Sequence, residues 1–425
     1  MPFRIALSGL NAAATDLRVI GNNVANVGTT GFKESRTEFS DVVPASNLGT
    51  AANVVGSGVQ VSAVAQQFSQ GNLEFTDNSL DLAISGQGFF RLNDSGSIVY
   101  SRAGAFGVDR DGFVVNAANQ RLTVFEPDGA GNITGALGDL RLDTSDIPPG
   151  ATGTVTVTAN LDANDTDFPA YPGLPAFDAQ DPSTYSHSTS LTVYDSLGNP
   201  LLATMYFRKT DVANVWEMHL RVMNGAGIAT EVIPAGNVAG EPALLTFDGS
   251  GVLTAVNPPA GATLAVDYQA VNPGTGAVNL VLDVDVSSST QFGSGFSVNA
   301  LAQDGYSSGR LSGISVDRTG VVQARYSNGQ TRVLGQVAIA TFRSPQGLQQ
   351  LGDTTWAETF GSGSALTGTA GTGTLGLIQS GALEGSNVDL TEQLVKMITA
   401  QRNFQANAQV ISTADTITQT VINIR

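Results

Sequence analysis

Cysteine is absent from all 425 residues, which excludes disulfides, thiolate metal sites and a cysteine nucleophile. The same absence suits a chain that travels unfolded into oxidising surroundings. Histidine is nearly absent too: His187 and His219 do not form a metal-spaced pair, so no zinc set is expected and both read as ordinary strand residues. The lysines, Lys33, Lys209 and Lys396, follow Phe, Arg and Val, so the Gly-Lys-Ser/Thr of a phosphate-binding loop is excluded. Basic residues are few, 20 against 37 acidic, and the net charge of −17 argues against nucleic acid or an anionic membrane surface as partner. No apolar run approaches bilayer length, and Asp16, Arg18, Asn22 and Asn23 interrupt the N-terminal candidate, so no membrane insertion is expected. The start has no basic n-region, compact apolar segment or small-residue cleavage site, and a conventional exporter should not recognise it.

What the sequence does contain is concentrated at its ends. Residues 386–425 hold neither Gly nor Pro, and Asp389 with Glu392 three residues on gives an N-cap and a capping-box partner. Leu390, Leu394, Met397, Phe404, Ala408 and Ile411 follow at spacings of four and three, with polar Gln401 in the missing seam position. Val410, Ala414, Ile417, Val421 and Ile424 continue the rhythm on an adjacent face. A helix of about 36 residues would be roughly 54 Å long, and its stripe needs a partner. At the other end Ala6, Leu10, Ala13, Leu17, Ile20, Val24 and Val27 keep an unbroken coiled-coil rhythm. The two ends are expected to pair, with each other or with those of other copies.

After Val27, Gly28 suits the left-handed position that ends a helix, and Asn22, Asn23 and Asn26 read as a cap or register device. Small-residue stretches at 44–58 and 361–376 lie at comparable depth from the two termini, which suggests a nested chain. Gly is abundant, 49 residues, with aromatics at 7% and charged residues at 13%, and this composition favours strands and turns in the middle. Asp followed by Gly at three residues recurs at Asp109–Gly112, Asp195–Gly198, Asp248–Gly251 and Asp317–Gly320, each read as a hairpin turn. The first and last are nearly the same peptide and should share one domain. Residues 1–40 carry four basic and three acidic side chains and 384–425 carry three and four, so the acidic excess lies between near-neutral ends.

The expected fold is therefore mostly β with terminal α-helices. Residues 1–28 and 387–425 form a coiled-coil-like inner domain, 29–70 and 363–386 connect, 71–145 and 298–362 form a β domain, and 146–297 is an inserted outer β domain. Chemistry is scarce. Gly371, Gly373 and Gly376 spell G-x-G-x-x-G, but no strand is expected before them and no helix directly after, so no dinucleotide or other cofactor is expected. Asp162, Asn164, Asp165 and Asp167 lack the central Gly and terminal Glu of a calcium loop and read as a solvated loop.

Ser8-Gly9-Leu10-Asn11, Gly21-Asn22-Asn23-Val24-Ala25-Asn26, Thr30-Gly31-Phe32-Lys33, Leu383-Glu384, Ser386-Asn387-Val388-Asp389-Leu390 and Ala400-Gln401-Arg402-Asn403-Phe404 resemble the terminal signatures of the bacterial flagellar rod and hook axial proteins. Gly86-Gln87-Gly88-Phe89-Phe90 and Ser101-Arg102-Ala103-Gly104 resemble the β domain that those proteins share. Asp181-Pro182-Ser183-Thr184-Tyr185 and Val193-Tyr194-Asp195 resemble the hook members, and the block 146–297 favours hook over the shorter distal-rod type. The resemblance implies a structural subunit, not an enzyme, that polymerises with other copies into the curved hook of the flagellum. It implies export without a cleaved signal through the flagellar type III apparatus, with a hook cap, rod and hook–filament junction proteins as partners. It also implies an extracellular place on the flagellum, the terminal helices on the inner tube, the shared β domain outside it and the insertion at the outer surface. Helices that bury their stripes only against neighbouring copies are expected to be disordered in the monomer and to fold on assembly. A distal-rod subunit and, in another class, a secreted β-rich enzyme acting on polysaccharide are the alternatives.

Overall fold

The computed structural model describes residues 2–43, 56–143, 145–173, 176–259 and 264–423. Strands make up 44% of a mostly β chain with a helix near each end: α1 spans Pro2–Ala25 and α2 spans Leu390–Asn423. Most of the small-residue stretch 44–58 and Ile424 lie outside the described residues, as does the side chain of Val421. The chain divides into two compact units, one built from 1–144, 312–325 and 331–425, the other from 145–311 and 326–330.

The first unit is made from both halves of the chain. Strand Thr331–Thr341 pairs with Arg121–Pro127 through Val337 opposite Val124, and with Phe89–Asp94 through Ile339 opposite Phe90. Leu377–Ser380 pairs with Leu82–Ser85, and Ala382–Glu384 with Leu73–Phe75. Alternating side chains from these strands, among them Leu82, Ile84, Phe90, Leu92, Leu122, Val337, Ile339 and Ile378, close one core. A second cluster stacks edge to face: Phe89 lies between Phe68, Phe342 and Trp356, with ring centroids 5.5–5.8 Å apart. The stretch read as a connector, 363–386, carries three short strands, Leu366–Thr369, Leu377–Ser380 and Ala382–Glu384, the first of which also joins Thr331–Thr341. A strand therefore does lead into Gly371, though another strand follows rather than a helix.

The second unit packs a five-stranded sheet, with Thr154–Asp162 paired on both sides, and a six-stranded sheet running from His187–Tyr194 to Leu253–Asn257. Val155, Val157, Leu161, Phe207, Trp216, Met218, Leu220 and Leu245 share its core. The expected exit at 297 falls at the start of a strand of this unit: Ser297–Gln303 pairs antiparallel with Thr154–Asp162, and Gly150 with Tyr306. Its alternation looks the same from either side of a boundary, and long-range pairing decides which unit owns it.

All four Asp–Gly turns share one mechanism. In each, the Asp Oδ1 accepts backbone N–H groups two and four residues on, as from Asp111 and Phe113 to Asp109 and from Thr319 and Val321 to Asp317. The Gly takes positive φ: 85° at Gly112, 82° at Gly198, 81° at Gly251 and 83° at Gly320. Asp128–Gly131 is a further copy of the same turn, with the same Asp-Gly-x-Gly pattern as Asp248–Gly251. Both near-identical turns, at Asp109 and Asp317, belong to the first unit.

The acidic run is tied down: Asp165 lies 2.7 Å from His187 and Asp167 2.9 Å from Lys209. His219 is not an ordinary strand residue. It is buried, stacks on Phe177 at 3.9 Å, bonds Glu231 through Nδ1 at 2.8 Å and lies 3.9 Å from Glu217, itself 2.9 Å from Arg208. Burial opposes a charged ring, but the two carboxylates outweigh it and raise the His219 pKa above its usual value. Burial also opposes ionisation of Glu217, yet His219, the Tyr171 N–H and Arg208 together hold its pKa below the usual value. The His219 contribution is therefore complete below the unfolded-state value near 6.5 and is lost as pH rises through the raised folded-state value. Thermal unfolding should show the second unit weakening on the alkaline side, and His219→Gln should flatten that limb while leaving the first unit's transition in place.

Candidate assembly surface

α1 and α2 run antiparallel, with Gly9 facing Asn407 so closely that a Cβ at Gly9 would collide with the amide. On α1 the seam residues Ala13 and Ile20 are buried, Leu10, Leu17 and Val24 half-buried, while Val27 lies past the helix end and is exposed. On α2 the face turned inward carries Gln393 and Ala400, both buried, with Met397, Phe404, Ala408 and Ile411 half-buried. Leu390 and Leu394, expected in the seam, are 45% exposed, and Gln401 is also exposed.

A polar lock sets this phase. Buried Gln393 accepts from Asn23 Nδ2 at 3.2 Å and donates to Glu34 Oε2 at 2.9 Å. Asn23 also donates to Ser35 O at 2.8 Å and accepts from Ser35 N at 2.9 Å, as a neighbouring strand would. A buried amide that lost these partners would cost about 1–3 kcal/mol, so hydrogen bonding overrides the hydrophobic count over the first turn. The apolar side chains displaced by this rotation point outward.

The remaining family-like residues build the joint beneath. Asn26 Nδ2 donates to Asn22 O at 2.9 Å, closing the end of α1. Gly31, rather than Gly28, takes the positive φ, 72°, where it passes against the backbone of Ala103 and no side chain would fit. Phe32 is buried. Asn387 accepts from Glu34 N and donates to Gln67 O, both at 2.8 Å. Asp389 caps α2 by accepting from Thr391 N at 2.8 Å and Glu392 N at 3.0 Å, while Glu392 pairs with Lys396 at 2.7 Å instead of reaching back. Arg402 is exposed on α2.

Lys33 is wholly buried, with Nζ 2.6 Å from Glu384 Oε1 and 2.7 Å from Ser69 O. Arg102 reaches the other oxygen of Glu384 at 3.1 Å and donates to Gly86 O at 2.9 Å. Gly71 N adds a bond to Glu384 Oε1 at 2.9 Å, and the Glu384 carbonyl accepts from Gly31 N at 2.7 Å. Burial lowers the pKa of both Lys33 and Arg102, and Glu384 offsets this only in part. One carboxylate thus joins the segment after α1, the β core and the segment before α2. No spacing rule pairs residues this far apart. A clue was nonetheless present: Glu384 is the first charged residue after a charge-free stretch, 359–383.

With the helices paired, apolar side chains remain outside. Phe3, Ile5 and Leu7 on α1 and Leu394, Val395, Ile398, Val410 and Ile417 on α2 are exposed, and Phe3 with Val410, Ala414 and Ile417 lines an apolar groove. A surface helix of a self-sufficient unit shows one apolar face, turned inward; these show a second.

Known proteins carry the same layout from end to end. The chain is 37% identical over 432 residues to the flagellar hook protein FlgE of Escherichia coli, covering 100% of both, and 38% identical over 428 residues to that of Salmonella typhimurium, again with 100% coverage. It belongs to the flagellar hook protein family. The hook protein of Borreliella burgdorferi is 33% identical over 456 residues, covering 99% of this chain and 98% of its own. Family models match in chain order: flagella basal body rod protein over 3–33, flagellar hook protein FlgE/F/G D1 domain over 83–160, flagellar basal body protein FlaE D2 domain over 160–306, and flagellar basal body rod FlgEFG protein C-terminal over 379–424. A Helicobacter pylori hook protein structure, FlgE2, shares the fold with TM-score 0.52 at 14% identity, covering 73% of this chain and 100% of its own.

Glu384→Gln removes the anion shared by two buried cations in this hook-family joint, and should cost about 3–5 kcal/mol. Denaturant unfolding should show that loss in the first unit's transition and none in the second unit's; a loss below about 1 kcal/mol would show the ion cluster to be dispensable.

Proposed function

We propose that this chain is a structural subunit that polymerises into the flagellar hook, the curved joint between motor and filament, and that it acts by assembly rather than catalysis. The observation that carries the reading is the second apolar face on α1 and α2, left exposed after the helices have paired, in a chain matched along its full length by hook proteins. A face that only another copy covers, repeated head to tail without closure, produces an open helical polymer. Near-neutral ends fit that role, since like charge does not oppose their contact, while the acidic middle keeps unassembled copies apart.

In this reading the terminal helices form the inner tube and complete their packing there, the first unit's β core surrounds them, and the outer unit forms the surface that slides as the hook bends. Other hook and rod subunits are its partners. Export unfolded through the flagellar type III apparatus, a hook cap and a hook–filament junction complete the set, and the absence of cysteine suits that route. The distal-rod alternative is disfavoured by the D2-domain match over 160–306 and by hook relatives of equal length.

Leu394 tests the reading without disturbing the folded subunit, because its side chain already faces solvent. Leu394→Asp should leave thermal unfolding of the monomer unchanged and abolish tubular polymers in electron micrographs, since assembly would then bury an unpaired charge. Normal tubes from this variant, or from a chain lacking residues 1–30 or 386–425, would end the proposal.

A further inference from the structure

Outside the two helices, the first unit carries one further apolar side chain held fully in solvent. Phe360 is the most exposed large apolar side chain among the described residues, at 105% of its reference area, yet the turn that carries it is tightly built. Thr359 Oγ1 donates to Gly347 O at 2.5 Å and accepts from Gly361 N at 3.1 Å. Ser362, wholly buried, accepts from Thr359 N at 2.9 Å and donates back to Thr359 O at 2.9 Å. Gly361 and Gly347 approach too closely to admit a Cβ at Gly347, and Gly363 takes φ 72°. The preceding residue, Glu358, accepts from Tyr100 OH at 3.4 Å, tying the turn to the aromatic cluster. An aromatic ring held outward on a stiff support loses little entropy on docking, which is the property of an interface anchor.

Charge identifies the occupant. The chain carries −17, yet 359–383 has no charged residue at all, and within it Leu366 and Leu377 are exposed along with Phe360. Two copies of an acidic protein repel wherever their acidic surfaces meet, so a segment that carries no charge of its own is where another copy can approach most cheaply. That segment lies in the same unit as the helix faces assigned to assembly.

We propose that Phe360, on its Thr359–Gly363 turn, is an anchor that docks onto a neighbouring copy of this chain in the polymer. This rests on the hook-subunit reading: the helices would join the copies, and Phe360 would stiffen the join at the level of the β core.

The test uses the full chain. Phe360→Ala should leave the monomer's unfolding curve unchanged, because the ring touches little, and should raise the critical concentration for polymer formation about tenfold. Phe360→Trp should keep assembly, and its fluorescence should shift to the blue when monomer converts to polymer, compared with the parent chain carrying only Trp216 and Trp356. An unchanged critical concentration for Phe360→Ala, or a Phe360→Trp signal that stays solvent-like in the polymer, overturns the proposal. Failure of the parent chain to polymerise at all would instead strike the hook-subunit reading, and Leu394→Asp run alongside separates the two.

Discussion

The Glu384 carboxylate is the point on which the joint between helices and β core depends. It is buried with Lys33 and Arg102 around it, and an ion taken out of water is tolerable only when its partners arrive with it. Those partners come from sequence positions hundreds of residues apart, so the cluster forms only when the outgoing and returning halves of the chain have met. Around it the hydrogen bonds of Asn23, Glu34, Asn387 and Gln393 also cross between the two halves of the chain. The helices are therefore held at a defined angle by bonds that break together, and their apolar faces are presented as a set.

Direction at the joint and hydrophobicity at the face are separate devices. The seam inside the helix pair is polar near the joint, and farther along α2 Phe404 and Ile411 are half-buried. The outward side carries apolar residues among polar ones, and Leu394, Val395, Ile398, Val410 and Ile417 stay exposed among the described residues. Specificity is thus placed within the subunit and adhesion between subunits, the arrangement expected where many identical contacts must be similar in strength but not individually rigid.

Much of this was legible in the residues. The rhythm of Ala6, Ala13 and Ile20, the Asp389 cap and the Asp–Gly turns depend on local geometry, and local geometry has a fixed spacing. Leu390 and Leu394 show where that reasoning stops: periodicity records which residues are apolar, not which of two apolar faces turns inward, and a pair of amides made that choice. Residues 363–386 read as a connector in the sequence because Gly, Ser and Thr dominate them, yet strands need only backbone groups and a neighbour, and the neighbours are Thr331–Thr341 and the far more distant Leu82–Ser85. Glu384 escaped for the same reason. Its role exists only after the chain has closed.

The interleaving of Thr331–Thr341 with Arg121–Pro127 sets an order of events in time. The second unit is built almost wholly from one continuous segment, 145–311, whereas the first unit requires both flanks of that segment. For a polypeptide delivered amino end first, the second unit can close as soon as its own residues have emerged, and its closure shortens the loop that the flanks must span to find each other. The insertion that lengthens the chain thereby makes the last folding step, the one that exposes the adhesive helices as a pair, a short-range event that waits for the final residues to arrive.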